Sequence, residues 1–275
     1  MKIENIIING CSFVHGFDLC YKDFNISPFT SWPAAFKQFT DEQKQIFKNK
    51  RLSGKLGDIF NCNVIDLSIS GECNDHIANS LIDYLKKNEN SLTPSTTLVI
   101  VGWTEPERWP FFVRDNGKNL NINVRAISHW KYAFQREQPK TKELESRIEV
   151  LNSLEGMEKL WEKYDGMGMT GYWRHSSLIF LLQQYLENHK YNYCFFNSLY
   201  GFPVNPKYPR YSNIGYDEHI NWKNWYPRGD IKSYDWNWNS LILKHEKYKT
   251  DSAHPSQLAV DEFSKELAVF IKNNY

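Results

Sequence analysis

The chain has 275 residues, a formal net charge of +1, and lysines that are scattered rather than clustered. That balance excludes a basic nucleic-acid groove or a membrane-surface helix as its main business, and no apolar run approaches the ~20 residues of a membrane span. Such a length suits one domain over 1–275 with a substantial core and large excursions.

Met1-Lys2-Ile3-Glu4-Asn5 leads straight into an apolar run with no signal-peptide core, so a cytoplasmic or virion-associated protein is expected. Ile6–Ile8 ends at Gly10 and reads as a strand buried on both faces. Gly10-Cys11-Ser12-Phe13 follows directly. Ser31-Trp32-Pro33 opens a predicted helix, with Ser31 as cap and Pro33 in the first turn. Asn63–Leu67 is a second strand, running into the loop Ser68-Ile69-Ser70-Gly71. Asn74 or Asp75 then caps a helix whose Ile77, Leu81, Ile82 and Leu85 keep helical spacing. Thr97–Val101 is a third strand, stopped by Gly102. A helix over about 172–188 precedes a fourth strand, Tyr193–Phe196, and a last helix runs from Ser256 to about Lys272.

Strands alternating with helices predict a parallel sheet covered on both faces, with ligands at the carboxyl ends of the strands. Ser12, Gly71 and Gly102 each follow a strand, so they collect on that edge. Two stretches break the alternation, about 106–171 and 199–250. They hold Trp109, Trp130 and Trp161, and Trp222, Trp225, Trp236 and Trp238 respectively. Loops this long are functional or disordered, and so much Trp and Tyr argues for order. Both are expected to be ordered insertions over the catalytic edge rather than a second domain.

Near the other end, Asp251-Ser252-Ala253-His254-Pro255 opens the last helix. A serine hydroxyl needs a base to act as a nucleophile, and the base needs an orienting carboxylate. Ser12, His254 and Asp251 supply those three types. The bland alternatives are a turn serine, a histidine packed at a helix start and a capping aspartate. Cys11 reads as a small core side chain rather than a nucleophile. The five cysteines are an odd set without CxxC spacing and read as reduced thiols. Asp235-x-Asn237-x-Asn239 with Glu246 imitates a calcium loop, but Ser240 stands where such a loop needs glycine. No metal and no cofactor are expected.

Taken in order, these segments resemble the SGNH hydrolases, the GDSL-type serine esterases. Gly10-Cys11-Ser12-Phe13 resembles the first block, Leu67-Ser68-Ile69-Ser70-Gly71 the second, and Asp251-Ser252-Ala253-His254 the last, Asp-x-x-His. Gly102-Trp103-Thr104-Glu105 falls where the third block, Gly-x-Asn-Asp, should lie. Gly-Cys-Ser-Phe and Gly-Trp-Thr-Glu-Pro-Glu-Arg are also similar in style to virus-encoded (phage) members. The resemblance implies a flavodoxin-like three-layer α/β/α sandwich. It implies a Ser12–His254–Asp251 triad and an oxyanion hole from the N–H groups of Ser12 and Gly71 with Thr104. Thr104 replaces the amide-bearing Asn of the family, and losing one oxyanion donor costs roughly 10²–10³ in turnover. Asn74 is a substitute amide in the same loop as Gly71. Trp103 and Arg108 are candidate substrate contacts, although Arg108 can equally pair with a local Glu.

The expected function is hydrolysis of small acyl esters, with O-acetyl groups of a carbohydrate (glycan) as the expected substrate and with neither nucleic acid nor membrane as partner. The alternative is a catalytically weak or inactive member that binds glycan or protein as a structural component. Acyl transfer to an acceptor sugar would use the same serine and base. The sequence leaves the oligomeric state open.

Overall fold

In a computed structural model of the chain, the described residues are 2–16, 19–21, 23–26, 36–106, 108–113, 118–123, 135, 142–154, 156, 159, 166–199, 219–226, 246–250 and 254–275. The expected helix start at Ser31, the calcium-like run from Asp235 and the expected orienting Asp251 lie outside them.

Strand β1 (Asn5–Gly10) is followed by the four-residue helix α1 (Ser12–His15), then α2 (Asp41–Lys50) and α3 (Leu52–Phe60). Strand β2 (Asn63–Asp66), α4 (Asn74–Lys87) and β3 (Thr97–Trp103) come next, then a hairpin of β4 (Arg108–Val113) and β5 (Lys118–Asn123). Helices α5 (Lys142–Ser153) and α6 (Gly166–Asn188) precede β6 (Asn192–Asn197). The short β7 (Trp225–Tyr226) and α7 (Gln257–Asn274) complete the described elements. The main sheet has the order β2-β1-β3-β6-β7, and every pair in it is parallel.

Alternation along the strands sorts side chains into two cores. Ile6, Ile8, Leu98, Ile100, Cys194 and Phe196 share one with Leu52 and Leu56 of α3 and Phe263 and Leu267 of α7. Ile7, Val99, Val101, Tyr193 and Phe195 share the other with Ile77 and Leu81 of α4 and Ile179 and Leu182 of α6. Burial of each such side chain contributes about 1.5–3 kcal/mol, so the alternating pattern dictates helices on both faces. This is the flavodoxin-like three-layer sandwich that the SGNH resemblance implies, with the topological switch between β1 and β3.

Several boundaries differ from expectation. Strand β3 does not stop at Gly102, because Gly102 pairs with Gly10 and Phe196, and Trp103 pairs with Asn197. Helix α6 starts at Gly166, six residues before Tyr172, since the glycines at 166, 168 and 171 hide the periodicity of its first turns. The α4 cap is Cys73, without a side-chain hydrogen bond, and Asn74 is the first helical residue. Hairpin β4–β5, α5 and β7 sit in the stretches read as irregular. Among the described residues, no helix is long and apolar enough to cross a membrane. All five cysteines are free thiols, four of them buried.

One close approach positions the turn that carries Ser12. A Cβ at Gly10 would stand 2.4 Å from Val14 Cγ2, 2.8 Å from Val14 Cβ and 3.0 Å from the Gly102 carbonyl oxygen. A Cβ at Gly102 would stand 2.5 Å from Val14 Cγ2 and 2.7 Å from Phe196 Cζ. The paired glycines thus leave a notch that Val14 fills, and α1 folds back onto the end of the sheet. Gly10→Ala should cost about 1–3 kcal/mol of stability through overpacking. Chemical denaturation of Gly10→Ala with and without Val14→Ala checks this. The second change should recover part of the loss, and purely additive losses would refute the notch.

Candidate active site

Ser12 lies two residues past the end of β1, with Cys11 between them. It is 7% exposed and is the first residue of α1, so its N–H has no acceptor within the helix. The turn closes at Gly16, which at φ 72° donates its N–H to the Ser12 carbonyl (3.0 Å). Cys11 is fully buried, with Sγ 3.3 Å from Ser198 Oγ, and belongs to the core. Gly71 has φ +84°, a conformation that favours glycine, and no atom lies within 4 Å of where a Cβ would be. The approach to its backbone is open.

The C-terminal segment reaches the same edge. Its loop is tied at both ends: Thr250 N–H donates to the His254 carbonyl (2.8 Å), and Ser256 N–H donates to the Tyr248 carbonyl (2.8 Å). Ser256 then caps α7, accepting from Ala259 N–H (3.4 Å). The half-buried His254 ring lies 5.3 Å from the Phe13 ring, centroid to centroid. The residue beside Ser12 therefore packs against the expected base. His15, on the last position of α1, is 6% exposed and packs against Phe47. Burial holds its pKa well below the usual histidine value, with Arg51 and His254 adding to the effect. Arg51 in turn pairs with Asp66 (2.5 Å) and donates to Ser68 Oγ (3.0 Å), which ties α3 to the loop carrying Gly71.

Thr104 leaves β3 as Ser12 leaves β1, each two residues past the paired Gly102 and Gly10. It is 1% exposed. Its backbone is gripped by Asn74, whose Oδ1 accepts Thr104 N–H (2.9 Å) while Nδ2 donates to the Thr104 carbonyl (3.1 Å). Nδ2 also reaches the Glu105 carbonyl (3.4 Å) and His175 Nδ1 (2.8 Å). An amide has two N–H bonds, so both are committed, and Asn74 does not act as a substitute oxyanion donor here. The Thr104 hydroxyl is different. It is buried and has no hydrogen-bond partner among the described residues.

The expected substrate contacts sit elsewhere. Trp103 is fully buried, edge-on to His175 and Phe195, because it belongs to β3 and not to a loop. Arg108 is 6% exposed, donates to the Glu72 carbonyl (3.2 Å) and lies 3.4 Å from Glu105 Oε2, so its guanidinium is used inside the molecule. His175, on α6, has no sequence signal beyond its helix, and Asn74 reaches it only through folding. Arg174 pairs bidentately with Asp75 and stacks over the half-buried Trp109 ring (4.6 Å). Among the described residues, no group of His, Cys, Asp and Glu is arranged to hold a metal ion.

Burial, followed by the nearby Arg174, lowers the His175 pKa from 6.5 to about 3. The unfolded chain therefore binds more protons than the folded one below about pH 6.5. The stability contributed by neutral His175 is fully present above that pH and is lost progressively as pH falls toward 3. Denaturation midpoints between pH 7 and 4 should fall less steeply for His175→Asn than for the wild type. Equal slopes would refute the assignment.

No family model matches the sequence, and no curated protein matches it. Among solved structures, the chain is similar to a psychrotrophic esterase, EstA from Pseudoalteromonas sp., in a structure inhibited by monoethylphosphonate. The identity is 12% and the TM-score 0.44, covering 98% of this chain and 97% of that one. It is also similar to a protein from Bacteroides fragilis named as a putative acylhydrolase, at 12% identity and TM-score 0.27, covering 99% of this chain and 88% of that one.

Proposed function

We propose that this protein is a serine esterase of the SGNH type, acting on small acyl esters, with O-acetyl groups of a carbohydrate as the substrate class. The observation that carries the reading is the packing of His254 against Phe13, beside Ser12, at the carboxyl edge of the sheet. In sequence these residues lie at opposite ends of the chain.

In this reading Ser12 Oγ attacks the ester carbonyl while His254 takes its proton. His254 then returns the proton to the leaving alkoxide. Asp251 orients the imidazole. The tetrahedral oxyanion is held by the N–H groups of Ser12 and Gly71 and by the Thr104 hydroxyl. Water, activated by His254, releases the acyl group and regenerates the serine. The positive φ of Gly71 and the space around it suit a backbone donor that must meet a carbonyl oxygen. The carbohydrate part of the reading rests on aromatic surface: Trp173 is 54% exposed, next in α6 to the Arg174 that stacks on Trp109. Such rings suit the C–H-rich faces of sugars.

The test is acetate release from acetylated polysaccharides and hydrolysis of an activated aryl acetate, each with Ser12→Ala as control. The wild type should turn over and be labelled by a fluorophosphonate, and Ser12→Ala should lose about 10⁶ in kcat and all labelling. A folded wild type with neither turnover nor labelling would make the chain a binding protein on an esterase-like fold.

A further inference from the structure

We propose that His175 and Asn74 are positioning residues that hold Thr104 so that its hydroxyl, and no other group of that loop, serves as the third oxyanion donor. The proposal rests on the esterase reading above.

Three donors lie close together after β3: the Thr104 N–H, the Asn74 amide and the Thr104 hydroxyl. Asn74 Oδ1 takes the first (2.9 Å). The second is divided between the Thr104 and Glu105 carbonyls and His175 Nδ1. Only the hydroxyl is left over, buried and without a partner among the described residues. A buried polar atom without a partner is uncommon in folded proteins and calls for a reason. An acceptor that appears only during the reaction, the developing oxyanion, is such a reason. A donor kept from water is also stronger and needs no reorganisation when the charge forms.

His175 determines how Asn74 is held. The Thr104 backbone decides which end of the Asn74 amide is oxygen, since an N–H and a carbonyl face it together. The nitrogen end then faces His175 Nδ1 at 2.8 Å, so Nδ1 must be the accepting, unprotonated nitrogen. That requires a neutral ring with its proton on Nε2, which burial enforces. A ring protonated on Nδ1 would set N–H against N–H and loosen the grip on Thr104. Substitution of Asn by Thr in the third block thus carries a supporting pair, one residue from α4 and one from α6.

A double-mutant cycle tests this, with kcat and KM measured on an activated aryl acetate for folded, melt-checked variants. Thr104→Val removes the hydroxyl at constant shape and should lower kcat by roughly 10². His175→Leu should lower kcat with little change in KM. Its effect should vanish in the Thr104→Val background, because both changes remove the same donor. His175→Asn, whose Oδ1 falls near the Nδ1 place, should recover most of the lost rate. If His175→Leu does not fold, His175→Gln fills the site while moving the acceptor to the Nε2 place, and should behave as the leucine variant does. Losses that multiply in the double variant, or that fall on KM, would overturn the proposal while leaving the esterase intact. A folded wild type without turnover or fluorophosphonate labelling would instead remove the esterase reading on which it stands.

Discussion

The geometry of the candidate site depends on one steric constraint, the absence of side chains where β1 and β3 end side by side. Gly10 and Gly102 are register partners, and Val14 occupies the space that either Cβ would need. Because Val14 sits there, α1 turns back over the sheet immediately after Cys11. Because α1 turns back, Ser12 stands at the switch between β1 and β3, and Phe13 meets the C-terminal segment at His254. A bulkier strand end would lift α1 away and separate Phe13 from His254. The packing of a valine methyl thus sets where the Ser12 hydroxyl stands.

Around that turn, polar side chains tie separate elements together. Asn74 uses both of its amide hydrogens and its oxygen, Arg51 spans Asp66 and Ser68, and Arg108 is held by Glu72 and Glu105. The loops after β2 and β3 are thereby held by side chains of α3 and α4, although they have irregular backbone. The two buried histidines, His15 and His175, remain neutral inside this network because burial disfavours their charged forms.

Much of the architecture was legible in the sequence, and the reason is the period of the apolar residues. Ile6–Ile8 and Leu98–Val101 are fully buried because both faces of the sheet are covered, and that condition writes an unbroken apolar run. Helices α4 and α7 announce themselves by spacing. The hairpin β4–β5 was not legible: Pro110 interrupts β4, and Lys118, Asn119, Asn121 and Asn123 give β5 the composition of a loop. Strand β7, of two residues, is too short to carry a pattern. Among the candidate site residues, Ser12, Gly71 and Thr104 could be singled out because each lies in the segment after a strand. His175 could not, since its tie to Asn74 spans 101 residues and neither residue has a motif. The burial of Trp103 was not legible either. A strand that runs on past a glycine carries its last side chain into the core.

The valine-filled notch also bears on how such a sequence can drift. Positions 10, 14 and 102 share one small volume, so none can enlarge while the other two keep their size. A methyl gained at either glycine needs a compensating loss at 14, and the glycine pair cannot be traded away singly. Relatives carrying a larger residue at one of these places should therefore show a smaller one at another. Inheritance of the turn that carries Ser12 is then a matter of a trio changing in concert, however freely the aromatic excursions around it diverge.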